Sequence, residues 1–196
     1  MHAVSHHAPE ERIILLRHGP VALCSIGFVS AAGFKSWAPA YERSDVIPQQ
    51  PPLSARMAAA SVLQAFTSER PRSRQSAAAL ELVGPTASAI FNEPALPIIR
   101  VPGIRLPITT WLVACRALWL SGVLNKGESV TKSRQRGRAA ARLLIANSKG
   151  GVALVGHGWI NRFIGDELQA AGWRCSCKSS ALWGVSSYTP PDRSSL

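Results

Sequence analysis

Two histidines set the chemistry open to this chain. His18 stands in Arg17-His18-Gly19 and His157 in Gly156-His157-Gly158, while the other three, His2, His6 and His7, crowd the N-terminus. A neutral imidazole is a nucleophile near pH 7 without an activating base. A neighbouring guanidinium can fork onto the oxygens of a phosphate, and glycine lets backbone approach a ligand closely. A third stretch, Thr67-Ser68-Glu69-Arg70-Pro71-Arg72-Ser73-Arg74-Gln75-Ser76-Ala77, gathers arginines at what reads as a helix start. Free backbone N–H groups and the helix dipole favour anions there. Each fragment alone also has a plain reading: a turn, a satisfied structural histidine, a solvated basic cap.

The elements around these residues make them converge. Arg12-Ile13-Ile14-Leu15-Leu16-Arg17 is a short apolar run ended by His18-Gly19-Pro20, as a buried parallel strand entering a loop would be. Val152-Ala153-Leu154-Val155-Gly156 repeats the pattern ahead of His157. Weaker strands are expected over 62–67, 87–91 and 181–188, and helices over 31–43, 72–82, 108–124, 129–147 and 159–171. Strands alternating with helices imply an α/β fold, a three-layer sandwich with a mostly parallel central sheet and helices on both faces. Ligands of such sheets bind at the carboxyl ends of the strands, where His18 and His157 would both lie. The Pro-rich stretches 48–52 and 94–107 read as loops.

With 46% hydrophobic and 17% charged residues in 196, the chain can build a core and is not globally disordered. Its length suits a single domain over 12–189, between a flexible tail at 1–11 and a short one at 190–196. A net charge of +11 favours anionic partners without choosing among them. The four cysteines (Cys24, Cys115, Cys175, Cys177) suggest neither a disulfide framework nor a metal site. Reduced thiols and the lack of an apolar leader point to a cytoplasmic protein. The segment 108–124 is too short, and carries Arg116 too centrally, for a membrane span. A surface contact through Trp111 and Trp119 is a minority alternative to a half-buried helix. Lys132, Arg134, Arg136, Arg138 and Arg142 put cations along a later helix. Without interleaved aromatics they read as a solvated face rather than a nucleic-acid site, and no nucleic-acid partner is expected.

Leu16-Arg17-His18-Gly19 resembles the signature of the histidine phosphatase (phosphoglycerate-mutase-like) superfamily. Ser68 to Ala77 resembles its second motif, a serine followed four residues later by a phosphate-binding arginine, here Arg72, and then by a Gln-Ser-Ala helix start. Gly156-His157-Gly158, with Asn161 just after, resembles its third. The resemblance spans roughly Arg12 to Tyr188. It implies a metal-independent, cofactor-free phosphatase acting on an anionic phosphorylated substrate, such as a small molecule or a phosphohistidine-like group. His18 would carry the phosphoryl group, Arg17 and Arg72 would hold its oxygens, and a cationic His157 would stabilise the transfer. Gly19, Ser68, Gly158 and Asn161 complete the implied phosphate-binding set.

One departure concerns the acid that protonates the leaving oxygen. The family's Leu-x-Glu stretch aligns with Leu96-Pro97-Ile98, which puts Ile98 in the glutamate's place. Glu93 and Glu128 are the candidates to replace it, with Glu128 favoured because Gly127 frees the backbone before a helix start. Without an acid, the alternatives are a weak or inactive phosphate-binding relative, or a basic nucleic-acid or membrane-surface protein on the same fold. Mutase activity is disfavoured, because the chain lacks extra segments to hold a bisphosphorylated intermediate.

Overall fold

The computed structural model describes residues 10–23, 27–99, 101–124 and 127–191. Most of the two expected tails, with His2, His6 and His7, and also Cys24, lie outside the described residues. The apolar run at the start forms β1 (Ile13–Arg17), and its partner run forms β6 (Val152–Gly156). They pair in parallel, with Arg17 opposite Gly156. Parallel strands β3 (Gln64–Thr67) and β4 (Thr86–Ala87) extend one side, and antiparallel β8 (Val185–Thr189) and β7 (Arg174–Cys177) the other. The sheet order is β4-β3-β6-β1-β8-β7.

Side chains of β1 alternate between two cores, as a pleated strand requires. Ile13 and Leu15 join Leu144 of α5 (Val130–Ala146) and Ile160, Ile164 and Leu168 of α6 (Gly158–Ala170). Ile14 and Leu16 face Ala55 and Ala59 of α2 (Leu53–Ala60) and Ala77 of α3 (Pro71–Ala79). The i, i+4, i+8 spacing of the α6 residues makes one apolar stripe along the helix. A Cβ on Gly137 would come within 2.8 Å of Phe163 Cβ, so glycine is what lets α5 and α6 approach this closely. The result is the expected mostly parallel α/β sandwich with helices on both faces.

A third core lies apart from the sheet. Phe34 of α1 (Ala31–Arg43) packs with Ile108, Trp111 and Cys115 of α4 (Ile108–Leu120). The two-stranded antiparallel sheet of β2 (Phe28–Ser30) and β5 (Arg105–Pro107) ties the two helices together. Trp111 and Trp119 are fully buried, so neither is available to a membrane surface. Among the described residues no helix is long and apolar enough to cross a membrane.

Several expected elements shift or were not foreseen. The expected 87–91 strand is only β4 followed by a 3-10 turn at Ala89–Phe91. The last strand begins at Val185 rather than at residue 181, and the 108–124 helix stops at Leu120. Strands β2, β5 and β7 and helix α2 have three, three, four and eight residues, too few for periodicity to register.

Candidate active site

Three strand ends meet at one edge of the sheet. His18 follows β1, Ser68 follows β3 and His157 follows β6, and all three are buried. The His18 and His157 rings approach edge-on with centroids 5.1 Å apart. His18 Nδ1 lies 2.7 Å from the Gly19 carbonyl oxygen, which can only accept, so Nδ1 carries the ring proton. Nε2 is therefore the free lone pair, and it accepts from Arg72 Nε at 3.2 Å. Burial, then the charges of Arg72 and Arg17, push the His18 pKa down to about 3, although the Gly19 bond pulls the other way.

Arg72 is 1% exposed despite its charge. Its Nη1 donates to the Glu42 carbonyl at 3.1 Å and its Nη2 reaches the Glu42 carboxylate at 3.3 Å. Arg70 Nε lies 3.2 Å from the same carboxylate. Arg72 is thus held by His18 on one side and by Glu42 on the other. Arg70 and Arg72 both line the cavity, whereas Arg74 is exposed and does not. Two arginines so close in sequence can share the cavity because Arg70 is the N-cap, outside the helix. The N–H groups leading into this helix are already engaged: Ser68 N donates to Ser73 Oγ, Glu69 N to Asn92 Oδ1 and Arg70 N to Ser68 Oγ.

Arg17 Nη1 donates to the Ser180 carbonyl at 2.6 Å, while its buried Nε has no partner among the described residues. His157 Nε2 meets Ser68 Oγ at 2.7 Å, and its buried Nδ1 has no partner among the described residues. Burial, then Arg72, His18, Arg70 and Arg17, hold its pKa well below the ordinary value. Against the expected cationic His157, the surroundings favour the neutral ring, because four neighbours that carry or can acquire positive charge surround a desolvated imidazole.

The four auxiliary residues divide. Gly158 lies along the cavity, where a Cβ would sit 3.6 Å from the Arg17 guanidinium carbon. Gly19, Ser68 and Asn161 do not line it. Gly19 N donates to Ser76 Oγ, and a Cβ there would fall 2.3 Å from the Trp183 ring, so the glycine makes room for an indole rather than a ligand. Asn161 Nδ2 donates to the Leu16 carbonyl and ties α6 to β1. Ser68 orients His157.

The two glutamates also part ways. Glu93 is half-buried on the cavity lining, its carboxylate accepting from the backbone of Trp159 at 3.1 Å and Ile160 at 3.2 Å. Arg116 Nη2 lies 3.9 Å away. Burial raises the Glu93 pKa against the opposing pull of Arg116 and those N–H groups. Glu128 does not reach the cavity. It forms a fork with Arg136, with both contacts at 2.8 Å, and Arg136 Nη1 in turn holds the carbonyls of Ile90 and Asn92. Its preference as the acid is therefore corrected: it braces the turn that carries Glu93. Ile98 lies along the same cavity as apolar wall. Helix α6 has no acidic residue in its first turn and no side-chain cap of its own. That vacancy was the sequence signal for a carboxylate arriving from elsewhere.

Sequence reasoning missed Glu42 altogether. Among the described residues no group of three or more His, Cys, Asp or Glu side chains converges as a metal site would. The cavity over these groups measures about 860 Å³.

A scan of protein-family models and a search of curated proteins return no match. Solved structures do. The Mycobacterium tuberculosis open reading frame Rv3214 aligns with a TM-score of 0.56 at 20% identity, over 79% of this chain and 77% of that one. A phosphoserine phosphatase from Entamoeba histolytica, solved with phosphoserine, gives 0.55 at 13% identity over 90% and 89%. Bacillus stearothermophilus YhfR gives 0.51 at 14% identity over 81% and 80%. Sheet order, the buried histidine pair at the strand ends and these likenesses agree: the chain has the fold of the histidine phosphatase superfamily.

Proposed function

We propose that the protein is a phosphatase that hydrolyses phosphate monoesters through a phosphohistidine on His18. The observation that carries this reading is the state of the His18 ring. The Gly19 carbonyl fixes the proton on Nδ1, leaving Nε2 as a neutral nucleophile beside Arg17, Arg72 and His157 at the cavity floor. The similar phosphoserine phosphatase from Entamoeba histolytica lends the reading support.

In the first step Nε2 attacks phosphorus and the bond from phosphorus to the ester oxygen breaks. Arg72 exchanges its contacts with His18 and Glu42 for phosphate oxygens, and Arg17 and His157 Nδ1 take others. Fixed donors of this kind stabilise the charge of the transferring group. Glu93, whose pKa burial raises, gives a proton to the leaving oxygen. In the second step the Glu93 carboxylate takes a proton from water. The resulting hydroxide attacks phosphorus, the P–N bond breaks, and His18 and inorganic phosphate are released.

The test is brief incubation with a labelled phosphate ester followed by quenching in base. Wild type should give an acid-labile, base-stable adduct, absent from His18→Ala, with turnover lowered by on the order of 10⁴-fold or more. Turnover of His18→Ala near the wild-type rate refutes the reading.

A further inference from the structure

Above its charged floor, the cavity wall is apolar. Trp37 and Pro39 of α1, Leu96 and Ile98 of the following segment, and Val113 and Leu120 of α4 line it. The charged lining groups concentrate below them: Glu42 holds Arg70 and Arg72, and Arg116 holds Glu93 while stacking 4.7 Å over Trp119. Arg43, in the last turn of α1, adds a further cation.

Helix α4 is apolar on two faces for two reasons. One face (Ile108, Trp111, Cys115, Trp119) is buried, its first three residues in the third core and Trp119 against Phe163 of α6. The other presents Val113, Ala117 and Leu120 to the cavity at i, i+4 and i+7, with Val113 70% and Leu120 39% exposed. A helix that keeps an apolar stripe toward an open cavity has left that stripe for something other than its own core. The volume points the same way. About 860 Å³ is near the top of the range for sites that enclose drug-sized ligands, roughly 300–1,000 Å³. A three-carbon phosphoester would leave most of it empty.

The occupant is fixed by continuity with the floor. A phosphate held by Arg17 and Arg72 has its ester oxygen toward the cavity, so whatever the oxygen bears must lie along this wall. We infer that the substrate is the phosphate monoester of a bulky hydrocarbon alcohol, an amphiphile with an anionic head and an apolar body. The inference rests on the phosphatase reading for its chemistry, and on the wall alone for its selectivity.

The two are separated by measuring binding and turnover independently. His18→Ala, which cannot form the adduct, is titrated calorimetrically with ethyl, butyl, hexyl and octyl phosphate, each below micelle formation. Wild type is assayed for hydrolysis of the same series. Kd should fall about 4-fold for each methylene added, and the trend should flatten in the double variant with Val113→Asp, an exposed position where the new charge is tolerated by the fold. A Kd independent of chain length, phosphoserine binding as tightly as octyl phosphate, or an undiminished trend in the Val113→Asp protein overturns the inference. Chain-length-dependent binding without any hydrolysis by wild type supports the apolar selectivity and refutes the phosphatase reading instead.

Discussion

At the floor of the cavity His18, His157 and Arg72 are buried and tied to a strand end or a helix start, whereas the wall hangs outside the main sheet on α1 and α4. His18 and His157 are set by the register of β1 and β6, in which Arg17 lies opposite Gly156. The wall has its own core around Phe34 and Trp111 and reaches the floor through few polar contacts, chiefly Glu42 to Arg70 and Arg72. Rigid backbone suits chemistry, because a misplaced donor stabilises nothing in the transition state. An apolar surface built on separate helices suits selection, because it varies in shape without moving the reacting atoms. Proposed mechanism and proposed substrate class therefore live on different elements, and substitutions should separate them.

The largest effect should fall on the floor. Arg72→Ala removes a buried charged donor that must turn onto phosphate, and kcat/KM should drop on the order of 10²- to 10³-fold. Arg74→Ala, at an exposed position beside it, should cost less than about 3-fold. Equal losses measured in steady-state assays would mean that burial does not mark the clamp.

Next comes the acid, where floor and wall meet. Glu93→Gln should cost roughly 10²-fold on an alkyl phosphate and little on nitrophenyl phosphate, whose phenolate leaves unaided. Glu128→Gln acts only through Arg136 and the turn before Glu93, so its loss should be a few-fold and equal on both substrates. Selectivity for the alkyl ester in Glu128→Gln, and not in Glu93→Gln, would reverse the assignment.

The smallest effect reads the floor's electrostatics through folding. His18 has its pKa pushed down to about 3 by burial, against about 6.5 in an unfolded chain. Between those values the unfolded chain binds the extra proton and the folded one does not. Stability is thus fully present above pH 6.5 and falls as pH drops, by about 1.4 kcal/mol per pH unit for each such histidine. Urea unfolding of His18→Asn should show a shallower decline between pH 6.5 and 4.5 than wild type, and a wall variant such as Val113→Asp should keep the wild-type contribution from His18. An unchanged slope in His18→Asn would mean that the folded ring already accepts the proton.

Much of this was legible without coordinates, for reasons that differ by residue. The runs ending at His18 and His157 are local: apolar residues that must be buried, then glycine, then a turn at the carboxyl end of a strand. Sequence alone therefore determined the α/β sandwich, the two histidines at its edge and the arginine cluster after the third strand. It did not determine which carboxylate serves. Counting along the chain put Ile98 in the acid's place, but a 3-10 turn held by Arg136 carries Glu93 to the bare start of α6, a contact across 66 residues. Glu42 meets Arg72 across 30 residues in the same way. The apolar wall was equally hidden, because α4 reads as one hydrophobic run and only packing separates the face that fills a core from the face left open to a ligand. Local patterns record what each segment must bury. Which distant charge or surface it meets is decided by the tertiary fold, since no spacing along the chain encodes a contact between elements that only packing brings together.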